Sequence, residues 1–403
     1  MAYDLGAASP LGIASAARGL CRIVFLADRS RPHVADQYDA MCEWADVVDI
    51  TGLDEDEVYH KVSGIGAAGV VTFSEFQQRL VAHLAHRAGW RGHGTQTAAL
   101  LTDKHLQRRC LSDAGVESTR SALIAAESDI EKAAVEVGFP AVFKPRHGAA
   151  SAHTRLVESV EECRSAFADS PASEGLPFVL EEFLVGDPRA AGAGWGDFVA
   201  VSSVVQDGVV QTACVTGKHP LAEPFRETGD VIPHTLDDSL AEDVVRLERA
   251  ALTALGVREG VCETEIKLTA AGPRIIEVNG RLAGYLHGLL RLATGANMIR
   301  TVLQVALGEP VTVSPPAVDG VAYQRFIAPP FGSREVVSLS PLEELENLPG
   351  VEWVDVRAEV GQRVTWQEGT QSMLAIVHGS ARSHAEVLSL IGHFEDAAKE
   401  CCA

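Results

Sequence analysis

Two kinds of hydrophobic spacing alternate along the first hundred residues. CRIVFLAD (21–28) and GVVTF (69–73) are short apolar runs of strand length. EFQQRLVAHLAHRAG (75–89) instead sets Phe76, Leu80, Val81, Leu84 and Ala85 along one helical face. Strands alternating with helices predict a parallel sheet in an α/β unit. TDKHLQRRCLSDAG (102–115) reads as a helix opened by Thr102 or Asp103 and closed at Gly115. Further on, the small-residue stretch RAAGAGWG (189–196) marks an insertion. DFVAVSSVVQDGVVQTACVTG (197–217) then reads as a hairpin turning at Asp207-Gly208. LAEDVVRLERAALTALG (240–256) is an amphipathic helix. From about 311 the chain mixes strands and Pro-rich turns before a last helix, HAEVLSLIGHFEDAAKE (384–400).

At 403 residues the chain is longer than one core usually supports, so two or three domains are expected. Lys plus Arg number 34 and Asp plus Glu 55, a formal net charge of −21. An acidic surface repels phosphate backbones and anionic lipid, which argues against nucleic-acid and membrane partners while allowing a local basic pocket. No apolar run reaches membrane-spanning length, and MAYDLGAASP lacks the pattern of a signal peptide. The eight cysteines are scattered without a C-x-x-C pair. Together these features predict a cytoplasmic protein with reduced thiols.

The candidate chemistry lies in a second predicted hairpin. VCETEIKLT (261–269) and IIEVNGRLAGY (275–285) are apolar runs that carry Glu265 and Glu277. With a turn at Ala270–Gly272 these acids lie opposite each other on one face. Like charges so opposed destabilise a sheet unless a cation joins them. Carboxylates together with the Asn279 carbonyl are hard oxygen ligands suited to Mg²⁺. FPAVFKPRHGAAS (139–151) is a strand ending at Lys144, followed by a small-residue loop through Ser151 that can approach phosphates. FVLEEFLVG (178–186) is a strand ending in paired acids, a segment able to offer backbone groups to an adenine edge. The first turn, GAASPLG, is not a G-x-G-x-x-G fingerprint.

In order, Lys104, Lys144 with its loop, LEEFL and EIKL…GPRIIEVNGR resemble the ATP-grasp ligases. These include biotin carboxylase, D-alanine–D-alanine ligase and, most similar, the bacterial L-amino-acid ligases. The resemblance covers nearly the whole chain. It implies a Rossmann-like domain over 1–103, an ATP-grasp domain over 104–310 with a mobile lid at about 117–183, and a ligase C-terminal domain over 311–403. The fold class is then α/β, with α+β character in the ATP-grasp part. By this resemblance Lys104, Lys144 and Ser151 contact ATP phosphates, and Glu181, Glu182, Phe183 and Leu184 line the adenine pocket. Asp197 holds the ribose, with Asp187 its competitor. Glu265, Glu277 and Asn279 bind one or two Mg²⁺ ions, or Mn²⁺. Arg281 stabilises an acyl phosphate and the tetrahedral species that follows. A homodimer rests on the resemblance alone. The loop reads HGAASAH where the family often has glycine-serine-glycine.

TGKHPLAEPFRETGDVIP (216–233) resembles the substrate-facing segment of L-amino-acid ligases through Lys218, Phe225, Glu227, Gly229 and Pro233. Lys218 and Glu227 become catalytic candidates. Glu75, Glu227, Asp230, Arg281 and Tyr285 become substrate-binding ones. Asp230 stands where the family often has His. The implied activity is ATP-dependent joining of a carboxylate to an amine, with an amino acid as one partner. The alternatives are a biotin-carboxylase-like carboxylase and an ATP-binding regulatory protein without turnover.

Overall fold

The computed structural model describes residues 1–284 and 286–403. The first of its three sheets is parallel, with β1 (Ala2–Tyr3), β2 (Val24–Ala27) and β3 (Asp46–Asp49) in that order. Its parallel type is the one that the alternating pattern predicts, but of its strands only β2 falls in a run read as a strand. GVVTF, in contrast, joins no ladder. It is held by single bonds from Ala2 N to Val71 O and from Ala7 N to Phe73 O. Gly6 allows the close approach, since a Cβ there would lie 2.1 Å from Phe73 O. Val70 and Phe73 are buried, so the run keeps its apolar character for packing without becoming a strand.

The second sheet is antiparallel and small. It contains β4 (Ser121–Ile124), β5 (Ala141–Pro145), β6 (Arg155–Val157) and β7 (Phe178–Glu182), in the order β4-β7-β5-β6. Phe143 and Phe178 stack at 4.6 Å between centroids in a core of its own, closed by the helices Ile130–Val137 and Val160–Ala168.

The third sheet holds the site. Its strands are β8 (Phe198–Gln206), β9 (Val209–Lys218), β10 (Gly229–Ile232), β11 (Gly260–Thr269), β12 (Gly272–Asn279), β13 (Val321–Ile327), β14 (Val351–Val356) and β15 (Ala375–Ala381). Their order is β12-β11-β8-β9-β10-β13-β15-β14, antiparallel throughout. The tail strands β13 to β15 thus extend the sheet begun by β8. The β8–β9 turn places Asp207 and Gly208 at φ 51° and 81°, the mirror-image turn that suits a two-residue hairpin.

Register separates the two faces of this sheet. Glu277 opposes Glu265, Glu265 opposes Ala200, and Ala200 opposes Thr216. Two residues beyond Thr216, Lys218 opposes Asp230, and Asp230 opposes Gln324. One face is therefore polar. Side chains alternate along a strand, so Val199, Val201, Val215, Val231, Tyr323 and Val377 fall on the other face. They are buried in one apolar core with Val244 and Phe394 from the helices Asp238–Ala254 and His384–Cys401. The whole is a mixed α+β fold. Among the described residues no helix is long and apolar enough to cross a membrane.

Candidate active site

The β11–β12 hairpin turns at Ala270–Ala271, one residue tighter than the predicted Ala270–Gly272, and a register shift between Glu265 and Ile266 makes Glu265 and Glu277 direct cross-strand partners, with Glu263 opposite Asn279. Four oxygen-bearing side chains therefore share one end of the polar face. Cations surround them. Lys104 Nζ lies 3.1 Å from Glu277 Oε1, and Arg281 lies 3.4 Å from both Glu75 and Glu263. Lys218 Nζ lies 3.0 Å from Glu227 and 2.8 Å from Asp230. Burial, outweighing the neighbouring cations, pushes Glu75 up to about 7. The recessed position of Glu265, reinforced by the charges of Glu227 and Glu263, pushes its carboxyl up to about 8.

These shifts describe an acid cluster with too little positive charge at its centre. The oxygen donor set suits a hard divalent cation such as Mg²⁺. Among the described residues no three acidic, His or Cys side chains converge closely enough to enclose an ion. An ion here would therefore take its remaining oxygens from outside the protein, as Mg²⁺ does when it bridges phosphates.

The helix Lys104–Asp113 links this cluster to the second sheet. Asp103 caps it by accepting from Leu106 N, and Gln107 bonds both Val278 N and Val278 O, so the helix lies along the edge of β12. Arg108, one turn after Lys104, donates to Ile275 O and Ile276 O and pairs with Glu181 at 2.9 Å. Lys144 reaches the same carboxylate at 2.8 Å. Burial would raise Glu181, but Arg108 and Lys144 outweigh it and hold the carboxyl at about 2. The Glu181 side chain is thus committed to bracing Lys144. Its backbone lies within the sheet, opposite Ser121 of β4 and Val142 of β5.

The loop after β5 is shaped by unusual backbone. Ala150, Ser151 and His153 have φ of 58°, 56° and 52°. Left-handed conformations cost such residues on the order of 1–2 kcal/mol each. The contacts that hold the loop come from afar. Lys104 Nζ donates to Gly148 O at 2.9 Å, Thr370 N to Ala150 O at 2.8 Å and His153 N to Gln367 O at 3.0 Å. Gly369, at φ 61° and ψ −137°, lies so near that a Cβ would sit 2.0 Å from Ala150 O. Thr370 Oγ1 also accepts from Glu227 N at 3.0 Å. The segment Trp366–Ser372 therefore joins the candidate phosphate loop to the candidate substrate segment.

At the hinge, Glu182 pairs with Arg120 at 3.2 Å, and Phe183 N donates to Pro140 O. The Phe183 ring meets Phe225 at 6.3 Å, bringing the Leu184 end of the hinge beside the substrate segment. Of the two ribose candidates, Asp197 pairs with Lys267 at 2.6 Å over Gly186. Asp187 is less exposed to solvent than Asp197 and holds its neighbour Arg189 at 3.1 Å. Tyr285 lies outside the described residues. The remaining candidates, from Glu75 to Asp230, gather around the polar face as described. Three participants went unnoticed in the sequence. Glu263 had a signal, because it stands two residues before Glu265 and so shares its face. Arg108 and Gly369 had none, since their roles arise from contacts distant in the chain.

The chain is similar to known proteins over this same framework. Residues 103–313 match the family described as "Carbamoyl-phosphate synthase L chain, ATP binding domain". The chain is 28% identical over 259 residues to alanine–anticapsin ligase of Bacillus subtilis, a match covering 61% of this chain and 52% of that protein. It is 32% identical over 201 residues to carnosine synthase 1 of Gallus gallus, covering 46% and 20%. The chain thus spans about half the length of the first curated relatives it matches. Among solved structures, an L-amino acid ligase from Bacillus licheniformis superposes with a TM-score of 0.76 at 20% identity, over 96% of this chain and 94% of that one. A carboxyaminoimidazole ribonucleotide synthase complexed with ATP superposes with a TM-score of 0.74 at 14% identity, over 98% and 97%. With the match covering just over half its length, the chain belongs to the ATP-grasp family, through the ATP-binding domain shared with the carbamoyl-phosphate synthase L chain.

Proposed function

We propose that this protein is an ATP-dependent carboxylate–amine ligase that joins an amino acid to a second amino acid or amine. The observation that carries the reading is the polar face of the third sheet. There Glu265 and Glu277 oppose each other while Lys104, Lys218 and Arg281 converge from three separate elements. A protein that only bound nucleotide would need no such second group of cations beyond the phosphate-facing lysines. The relatives named for joining alanine to anticapsin, or for making carnosine, support an amino-acid substrate.

In this reading Lys104, Lys144 and the loop through Ser151 hold ATP phosphates, and the hinge Glu181–Leu184 holds the adenine. Asp197, which lies beside the hinge at Gly186, is preferred over Asp187 for the ribose. Glu265, Glu277 and Asn279 would hold Mg²⁺, which when bound neutralises phosphate charge and orients the transferred group. The chain's own residues do the rest. Arg281 presents a planar fork to the oxygens that gain charge as the carboxylate is activated and then attacked. Glu75, held by Gln78 at 2.7 Å, fixes that fork from behind. Glu227 and Asp230 offer carboxylates to an amino group, and Lys218 pairs with both. The small antiparallel sheet over 121–182 acts as a lid that excludes water from the activated acid. The overall change is carboxylate, amine and ATP to amide, ADP and phosphate. If an acyl phosphate forms, one oxygen of an ¹⁸O-labelled carboxylate must leave with phosphate. Mass spectrometry of the released phosphate tests this, and unlabelled phosphate accompanying labelled amide would overturn it.

A further inference from the structure

The face of the third sheet turned away from the acid cluster also carries charge. Arg325 follows Gln324 on β13, so its side chain lies on the side of the helix His384–Cys401. A cavity of about 320 Å³ opens there, bounded by β13, that helix and the segment before β10. Two of its walls are guanidinium groups. Arg226 is 2% exposed and Arg325 8%. Arg226 donates to the carbonyls of Glu223 and Pro329, and Arg325 donates to Thr228 Oγ1 at 2.7 Å. Arg325 Nε is buried with no hydrogen-bond partner.

Among the described residues no carboxylate lies within ion-pair distance of either group; Glu223 and Glu395 stand on the same walls, and the charge of Glu395 acts on Arg325 only weakly against its burial. Lys399, at the rim, is already paired with Asp396 at 2.9 Å. A buried charge without a partner is expensive, and a guanidinium satisfied only by neutral oxygens retains most of that cost. The apolar part of the cavity is formed by Ile327, Phe331, Phe394 and Pro330.

We propose that this cavity binds a small organic carboxylate with an apolar or aromatic substituent, its anionic end held by Arg325 and Arg226 and its substituent seated among the phenylalanines. Guanidinium forks match carboxylate geometry, and the phenylalanine walls disfavour a bare inorganic anion. The site lies across the sheet from the candidate active site yet touches it through the chain, since Arg226 adjoins Glu227. The proposal stands independently of the ligase reading.

The test is calorimetry with 3-phenylpropionate on the whole protein, with 3-phenylpropanol and inorganic phosphate as contrasts. Binding of the acid, with weaker binding of both contrasts, is expected. Arg325→Met should weaken the acid roughly 10- to 100-fold, the range for a hydrogen bond to a charged group. Because Arg325 is buried, Phe331→Glu serves as a second variant. Phe331 is 59% exposed at the cavity mouth, so this change sets a repelling charge there without disturbing the core. It should also weaken the acid while leaving ADP binding unchanged. Arg281→Lys should keep full affinity for the acid. The proposal is overturned if the acid does not bind at millimolar concentration, or if the alcohol or phosphate binds as well. It is equally overturned if affinity is lost in Arg281→Lys and retained in the two cavity variants.

Discussion

Glu181→Gln is the substitution whose consequence follows most directly from the structure. It preserves shape and removes the one negative charge between Arg108 at 2.9 Å and Lys144 at 2.8 Å. Holding this carboxyl near 2 instead of its ordinary 4.5 corresponds to about 3 kcal/mol of preference for the charged form. That agrees with the roughly 3–5 kcal/mol lost when one partner of a buried pair is removed. The folded-state value is depressed, so the contribution is complete above about 4.5 and disappears as pH falls towards 2. Urea unfolding at pH 7 should therefore find the variant about 3 kcal/mol less stable, with the gap unchanged between pH 6 and 8 and shrinking below about 4.5. Salt at 0.5 M should leave the gap in place, because all three charges are shielded from solvent. A difference under about 0.5 kcal/mol at pH 7, the range of ordinary surface changes, would refute the bracing role.

Three further outcomes are expected. Gly369→Ala forces a Cβ towards Ala150 O, 2.0 Å away, and strains a backbone at φ 61° and ψ −137°. About 1–3 kcal/mol of strain there should weaken MgATP roughly 10- to 100-fold in calorimetry while leaving adenosine nearly unchanged. Arg281→Lys keeps a charge but loses the fork, so kcat should fall on the order of 10²–10³ with little change in the KM for ATP. A loss of thermal stability with kcat retained would instead make Arg281 a brace between Glu75 and Glu263. Glu248 lies buried on the helix Asp238–Ala254 beside Ser203, and burial, outweighing that contact, pushes it up to about 7. A raised folded value means stability is lost as pH rises from 4.5 to 7. Glu248→Gln should therefore stabilise the protein above pH 7 by up to roughly 3 kcal/mol and flatten that slope in pH-dependent unfolding.

Much of the site was legible because its signals are local. The alternation in VCETEIKLT and IIEVNGR puts an acid in each strand, but the two-residue turn at Ala270–Ala271 alone would set Glu265 against Ile276, and a register shift between Glu265 and Ile266 brings Glu277 opposite it. The parallel type of the first sheet follows from the alternation of strand and helix spacing, although the short strands Ala2–Tyr3 and Asp46–Asp49 carry too few residues to show as apolar runs. What the sequence did not disclose is long-range. GVVTF has strand composition, yet nothing local says that it will find only single backbone bonds instead of a ladder. Arg108 and Gln107 look like ordinary polar residues of an exposed helix, and only packing against β12 makes them buried partners of its backbone. Glu181 and Glu182 read alike as paired acids, but alternation sends one inward to Arg108 and Lys144 and the other outward to Arg120. The dependence of the loop at Ala150 on Gly369 spans more than two hundred residues.

The central claim is that the converging acids and cations make an amide at the expense of ATP. The measurement that tests it most directly is phosphate release with MgATP over pairwise combinations of amino acids, with the amide counted by mass spectrometry in the same reaction. The account predicts a pair for which one phosphate is released per amide formed, requiring both amino acids, and abolished in a folded Glu277→Gln variant. Phosphate release without amide for every pair, or amide formed equally well by Glu277→Gln, would contradict it.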